Sequence, residues 1–406
     1  MLRSARSVRR ACLVAVLLCS CGSDHERPSL PAETWAVQDE SGPGPSRQDP
    51  FYLPPDPLPS GGPGEVVRSE IVPDFDPDGR VVAVRVLYHS ISIHGGDIAV
   101  SGLVLIPPGN PPEAGWPVLG WAHGTTGVGD ACAPSKWGDL YEYGDYVLGL
   151  ARAGFVIAAS DYEGLGVPGP HPYHDASSEA HGVIDAVRAA TQLVPEASRR
   201  WLAIGHSQGG QAALAAGEHA TEWAPELEYL GTVGIAPSSS LRLLPAMALT
   251  PTRGYVAFFA AGMLAVDPGV TLDDLLGPEA VARTEILQSG CWYEVMDAYR
   301  GISPSQLFPT TPAGRAATDA FFQRNEPGTL PLGKPILLVQ GSLDFSVPVF
   351  VTQALHTRLC DNDETVTLSV YPGFGHDGVL APSFEETIGW IRARVAREVA
   401  DSDCGE

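Results

Sequence analysis

Apolar and polar residues alternate from Val81 to His89, the period of a strand with one buried face. His94-Gly95-Gly96-Asp97 suits a tight reversal, and Ile98 to Ile106 runs back, so the two segments are predicted to form an antiparallel hairpin. Short apolar or β-rich runs follow at Trp116 to Ala122, Phe155 to Ser160, Trp201 to Gly205, Leu230 to Ile235, Pro335 to Gln340 and Thr365 to Tyr371. Helical spacing falls between or after them: Tyr141 to Ala153, His181 to Val194, Gln208 to His219, Val349 to Leu359 and Phe384 to Val399.

Alternation of strand and helix predicts an α/β protein with a mostly parallel sheet covered by helices on both faces, opening with an antiparallel hairpin. That is the element order of an α/β-hydrolase fold. Pro237 to Gly333 interrupts it between two strands expected to be neighbours. A structureless loop of that length is improbable. Tyr255 to Leu264 is strongly apolar, and Thr271 to Leu276 and Glu279 to Gln288 have helical spacing. Residues 237–333 are therefore expected to form a helical cap, inserted before the strand Pro335 to Gln340, with residues 65–236 and 334–406 forming the α/β body. The cap would cover the C-terminal edge of the sheet, where ligands of open α/β sheets bind.

The N-terminal end differs in kind. Arg3, Arg6, Arg9 and Arg10 precede a short apolar run, Ala11 to Leu18, which is too short to span a bilayer. Residues 1–20 are read as a signal peptide. Leu18-Cys19-Ser20-Cys21 resembles a bacterial lipobox, so Cys21 is the expected lipidation site, with ordinary secretion as the alternative. Residues 21–64 are read as a tether, because residues 22–64 hold ten prolines with many Gly, Ser and Asp. The chain of 406 residues carries a formal net charge of −23, which disfavours nucleic acid and anionic membrane surfaces as partners. Contact with a membrane is expected only through the N-terminal anchor. Past the tether stand Cys132, Cys291, Cys360 and Cys404, which allow three pairings in an oxidising compartment.

Candidate chemistry centres on Gly205-His206-Ser207-Gln208-Gly209, a G-x-S-x-G between a predicted strand and a predicted Ala-rich helix. A nucleophilic serine there must sit on a strained turn, with small neighbours so that strand and helix can approach. The plainer alternative is a serine capping the helix N-terminus. A serine hydroxyl needs a base, and the base needs an orienting acid. His376, in Gly373-Phe374-Gly375-His376-Asp377, follows the last strand, and Asp344, in Gly341-Ser342-Leu343-Asp344, follows the strand before it. Both would stand at strand C-terminal ends, as Ser207 would. Asp361 and Asp363 fall at the opposite edge, and Asp377 adjoins the base too closely to orient it. Oxyanion donors are expected from the backbone N–H of Gln208 and of Thr125, with Thr126 as the alternative, in the loop His123-Gly124-Thr125-Thr126-Gly127.

His-Gly-Thr-x-Gly, Cys132-Ala133-Pro134-Ser135, Ser160-Asp161-Tyr162-Glu163-Gly164, the Gly-His-Ser-Gln-Gly-Gly elbow and the late Gly-x-x-Asp and Gly-His pieces together resemble the secretory lipases of the fungal lipase A type. The resemblance runs over roughly residues 65 to 406 by motif order. It implies an α/β-hydrolase fold with an inserted helical cap, a Ser207–Asp344–His376 triad, two disulfides and hydrolysis of esters, lipid esters included. The pairing expected is Cys132–Cys291 and Cys360–Cys404, each closing a long loop. The chain departs from the family in its lipoprotein-like start and proline-rich tether.

No cofactor and no metal is called for. His171-x-x-His174-Asp175 offers metal-ligand atoms on paper, but a proline-rich loop with two histidines is more often only a loop. Asp161-Tyr162-Glu163 is a candidate for shaping the pocket, and the apolar run Tyr255 to Leu264 for lining an acyl tunnel. The alternatives to an esterase are a secreted peptidase on the same fold and a catalytically silent binding protein. Against the first stands the lack of a repeated β domain; against the second, the presence of candidates for all three triad positions.

Overall fold

The computed structural model describes residues 49–243, 252–308 and 311–405. The expected signal peptide, most of the expected tether and Cys21 lie outside the described residues. The described part carries a sheet in the order β1-β2-β3-β5-β4-β6-β7-β8-β9. Its strands are β1 (Val66–Val72), β2 (Val82–Ile91), β3 (Asp97–Ile106), β4 (Trp116–Ala122), β5 (Val156–Ser160), β6 (Ala197–His206), β7 (Glu228–Ile235), β8 (Ile336–Gly341) and β9 (Val366–Tyr371). The β1, β2, β3 and β5 neighbours pair antiparallel, and every pair from β5 through β9 is parallel. This is the α/β-hydrolase fold.

The pleat explains why the central strands read as continuous apolar runs. Successive side chains leave opposite faces of a strand, and here both faces are covered. On β4, Trp116 and Val118 join one core while Leu119 and Trp121 join the other; on β6, Trp201 and Ala203 divide from Leu202 and Ile204 in the same way. The first core lies under α2 (Ala176–Leu193) and α3 (Gln208–Trp223). The second lies under α1 (Gly144–Arg152) and the C-terminal helix, Leu380–Val395.

Between β7 and β8 the chain forms α4 (Tyr255–Val266), α5 (Leu272–Leu275), α6 (Pro278–Val281), α7 (Trp292–Ala298), α8 (Pro304–Leu307) and α9 (Pro312–Arg324). They share an apolar core of their own, including Phe258, Phe259, Met263, Val295, Tyr299 and Phe322. After β8 comes α10 (Val349–Asp361), and Leu380–Val395 is α11.

Several boundaries differ from the sequence reading. β1 was not anticipated. α1 begins at Gly144 because Leu140, Tyr141 and Glu142 have positive φ, 51°, 55° and 74°. α2 begins at Ala176, capped by the Asp175 carboxylate, which accepts from the Ser178 N–H. The stretch expected to be helical from Glu279 splits into α6 and a short 3-10 turn, Thr284–Gln288. From Asp49 the presumed tether lies against the body: Phe51 and Tyr52 are buried with Leu87, Ala99 and Val167. Burial of two aromatic rings outweighs the local bias of the prolines around them. Disulfides join Cys132 to Cys291 and Cys360 to Cys404.

Candidate active site

Ser207 follows directly on β6 and precedes α3, with φ 60° and ψ −119°. That conformation is costly for a residue with a side chain and persists only where its surroundings impose it. The flanking glycines are required by space: a Cβ on Gly205 would lie 2.0 Å from the Gly209 carbonyl oxygen, and one on Gly209 would lie 1.9 Å from that of Ala122. Ser207 makes no side-chain cap to α3. Instead its Oγ stands 2.8 Å from His376 Nε2.

His376 Nδ1 is 2.7 Å from Asp344 Oδ2. A carboxylate accepts, so Nδ1 carries the proton and Nε2 presents its lone pair to the Ser207 hydroxyl. Asp344 is fixed in turn. Its Oδ1 accepts from the backbone N–H groups of Ser346 and Val347, both at 2.8 Å, and its Oδ2 also accepts from Gln340 Nε2 at 2.9 Å. Thr352 Oγ1 donates to Gln340 Oε1 at 2.5 Å and sets the orientation of the amide. Burial opposes the Asp344 charge, but the hydrogen bond and charge of His376, with those donors, hold its carboxyl below the usual range. For His376 burial opposes the imidazolium, and Asp344, helped by Asp377, outweighs it and holds the ring above the ordinary histidine range.

A second histidine braces the first. His206 Nε2 lies 3.1 Å from the His376 carbonyl oxygen, and its Nδ1 lies 2.9 Å from the Tyr143 hydroxyl. The carbonyl can only accept, so Nε2 is protonated and Nδ1 accepts from Tyr143. Burial, reinforced by His376, pushes His206 down to about 4, so the ring is neutral at pH 7. Sequence reasoning missed His206, Tyr143, Gln340 and Thr352 in these roles. Only the x of G-x-S-x-G pointed at His206.

Ser207 opens into a cavity of about 270 Å³, bordered by Thr125, Tyr173 and His174, by the Ser238–Leu241 segment, by Tyr255 and Phe259 of α4, and by Phe345 to Pro348 with Phe350 and Val351. Thr125 Oγ1 and the Tyr173 hydroxyl are 2.8 Å apart. Gln208 is the first residue of α3, so its N–H has no acceptor within the helix. Of the run Tyr255 to Leu264, only Tyr255 and Phe259 border the cavity. Asp161, Tyr162 and Glu163 do not. Asp161 ties Ser101 to Ser135, Tyr162 donates to the His123 carbonyl, and Glu163 accepts from Ser178. His171 Nδ1 meets the Glu163 carbonyl oxygen, and His174 stacks on Phe259. Among the described residues, His171, His174 and Asp175 do not gather into a metal site. Of the other acids, Asp377 is exposed beside His206, and Asp361 and Asp363 lie at or beyond the end of α10.

A family model described as secretory lipase matches residues 145–402. This chain belongs to the secretory lipase family. A secreted triacylglycerol lipase of Malassezia globosa is 23% identical over 380 residues, covering 86% of this chain and 79% of that protein. A probable inactive lipase of Mycobacterium tuberculosis is 27% identical over 213 residues, 48% of this chain, which spans only 46% of that relative. Among solved structures, Candida antarctica lipase A in its closed state aligns with TM-score 0.76 at 18% identity, covering 89% of each chain. The rice cell wall degrading esterase LipA from Xanthomonas oryzae aligns with TM-score 0.68 at 22% identity, over 83% of this chain and 99% of that one. These two solved structures share the fold of this chain.

Proposed function

We propose that the chain is an exported esterase that cleaves carboxylic esters of apolar acyl groups, lipid esters among them, through an acyl-enzyme on Ser207. The observation that carries this is the hydrogen-bonded line from Ser207 Oγ through His376 to Asp344, at 2.8 and 2.7 Å. His376 Nε2 takes the hydroxyl proton as Oγ attacks the ester carbonyl, and Asp344 stabilises the imidazolium. The N–H groups of Gln208 and Thr125 receive the oxyanion. His376 then returns the proton to the departing alcohol, and water repeats the sequence to free the acid.

The substrate class is supported by the cavity wall and its mouth. No Asp, Glu, Lys or Arg borders the cavity among the described residues, which disfavours a peptidase holding a charged amino terminus. Phe345 and Phe350 are 80% and 56% exposed at its edge, where large apolar side chains are at home against an apolar substrate. Membership of a secretory family and likeness to a secreted lipase support export. The relative described as inactive makes a silent binding protein the second reading. A fluorophosphonate probe separates the two, together with p-nitrophenyl esters from acetate to palmitate and an aminoacyl-anilide control. Labelling that vanishes in Ser207→Ala, with turnover of medium and long esters and none of the anilide, is the expected result. Absence of labelling on folded protein favours the silent reading.

A further inference from the structure

Hydrogen-bonded to the residue after the proposed nucleophile is a buried acid that the proposed reaction does not use. Glu179, on the first turn of α2, is fully buried. Its Oε1 accepts from Gln208 Nε2 at 2.6 Å and from the His174 backbone N–H at 2.9 Å. One oxygen thus holds both the residue after the nucleophile and a residue of the cavity wall. His174 has a positive φ, 61°, a conformation that must be imposed by its surroundings. The other oxygen, Oε2, is buried with no hydrogen-bond partner. An ionised carboxylate is not left that way, because an unpaired charged oxygen in the interior is expensive. A proton on Oε2 removes the charge and leaves Oε1 free to accept both donors.

We infer that Glu179 is a positioning residue of the oxyanion hole: as a neutral acid it clamps the Gln208 side chain and the His174 backbone, and so fixes the Gln208 N–H over Ser207. The inference rests on the ester-hydrolase reading given above. Neutrality matters, since a negative charge behind Gln208 would oppose the negative charge of the tetrahedral intermediate. Burial, offset in part by Gln208 and the His174 N–H, pushes Glu179 up to about 8. The charged or titratable groups around it are few. Asp175, on the same helix end, is itself pushed up by burial and raises Glu179 further. His174 is held neutral by burial, at about 3, and Tyr162 and Tyr173 are held protonated by theirs.

The test is kcat and KM on a p-nitrophenyl ester from pH 6 to 10, for wild type, Glu179→Gln and Glu179→Ala, with melting temperatures recorded and Ser207→Ala assayed alongside. Glu179→Ala is expected to lose about 10- to 100-fold in kcat at pH 7 with KM within about threefold, less than full loss of an oxyanion donor. Glu179→Gln keeps an accepting oxygen without a charge and restores most of that loss. Wild-type kcat should decline above about pH 8 as Glu179 ionises, and Glu179→Gln should lack that decline. Wild-type kcat in Glu179→Ala overturns the inference, as does a Glu179→Gln no better than Glu179→Ala, or one with the same alkaline decline. Should Glu179→Ala fail to fold, the pH profile of Glu179→Gln decides alone. If Ser207→Ala keeps its turnover, the hydrolase reading itself fails and the clamp with it; if Ser207→Ala is inactive, the Glu179 results bear on the clamp alone.

Discussion

At the scale of single residues, the acid of the proposed triad is held by groups close to it in sequence and the base by groups far from it. Asp344 depends on Gln340 and two backbone N–H groups, and His376 on Asp344 and His206. The fixed tautomer of His376 gives the sign of the pH dependence. The ring must be neutral to accept the serine proton, and Asp344 holds it above the ordinary histidine range. Activity is therefore lost as pH falls through that raised value, and the acid limb of kcat/KM should have its midpoint above about 6.5. Asp344→Asn removes the carboxylate charge, so the limb should move to lower pH while kcat drops by about 10⁴-fold, as in comparable triads. A pH–rate profile of the two proteins checks both statements. The three residues of the proposed triad were legible because a candidate nucleophile, acid and base fall in a fixed order after strands. Glu179 was not, because its partner Gln208 lies 29 positions away and nothing local marks a buried acid as paired.

At the scale of elements, the turn from β6 into α3 is the tightest packing in the site. Gly209→Ala would drive a Cβ to 1.9 Å from the Ala122 carbonyl oxygen, which belongs to β4 and cannot swing away. The expected cost is about 3 kcal/mol, the upper range for overpacking, read as a lower urea midpoint with an unchanged slope. The central strands were legible because burial on both faces makes them uniformly apolar. β1 was not: Val66–Val72 is an edge strand whose residues are half-buried or exposed, and Arg68, Ser69 and Glu70 break any alternation. The start of α2 was missed because its first turn, Ser177-Ser178-Glu179, is polar, and its burial comes from tertiary contacts. The Pro237 to Gly333 insertion was legible as helical from its apolar spacing, but the division around Ala282 and Arg283 carries no strong local signal.

At the scale of the whole molecule, two covalent ties bind elements that the topology separates. Cys132–Cys291 closes 159 residues and joins the loop after β4 to the start of α7, while Cys360–Cys404 closes 44 residues and ties the C-terminal segment to α10. In the chain-entropy account these are worth about 5 and about 4 kcal/mol respectively. Paired Cys→Ser replacement should therefore cost more stability at the first bridge than at the second, as measured by chemical denaturation. Only the first should also lower turnover, because it holds the loop of Thr125. The central claim is that Ser207 and His376 act as one unit. The direct test compares kcat of Ser207→Ala, His376→Ala and the double variant. If they form a unit, each single replacement loses about as much as both together, on the order of 10⁶-fold. Losses that multiply in the double variant, or a Ser207→Ala that still turns over esters, would contradict it.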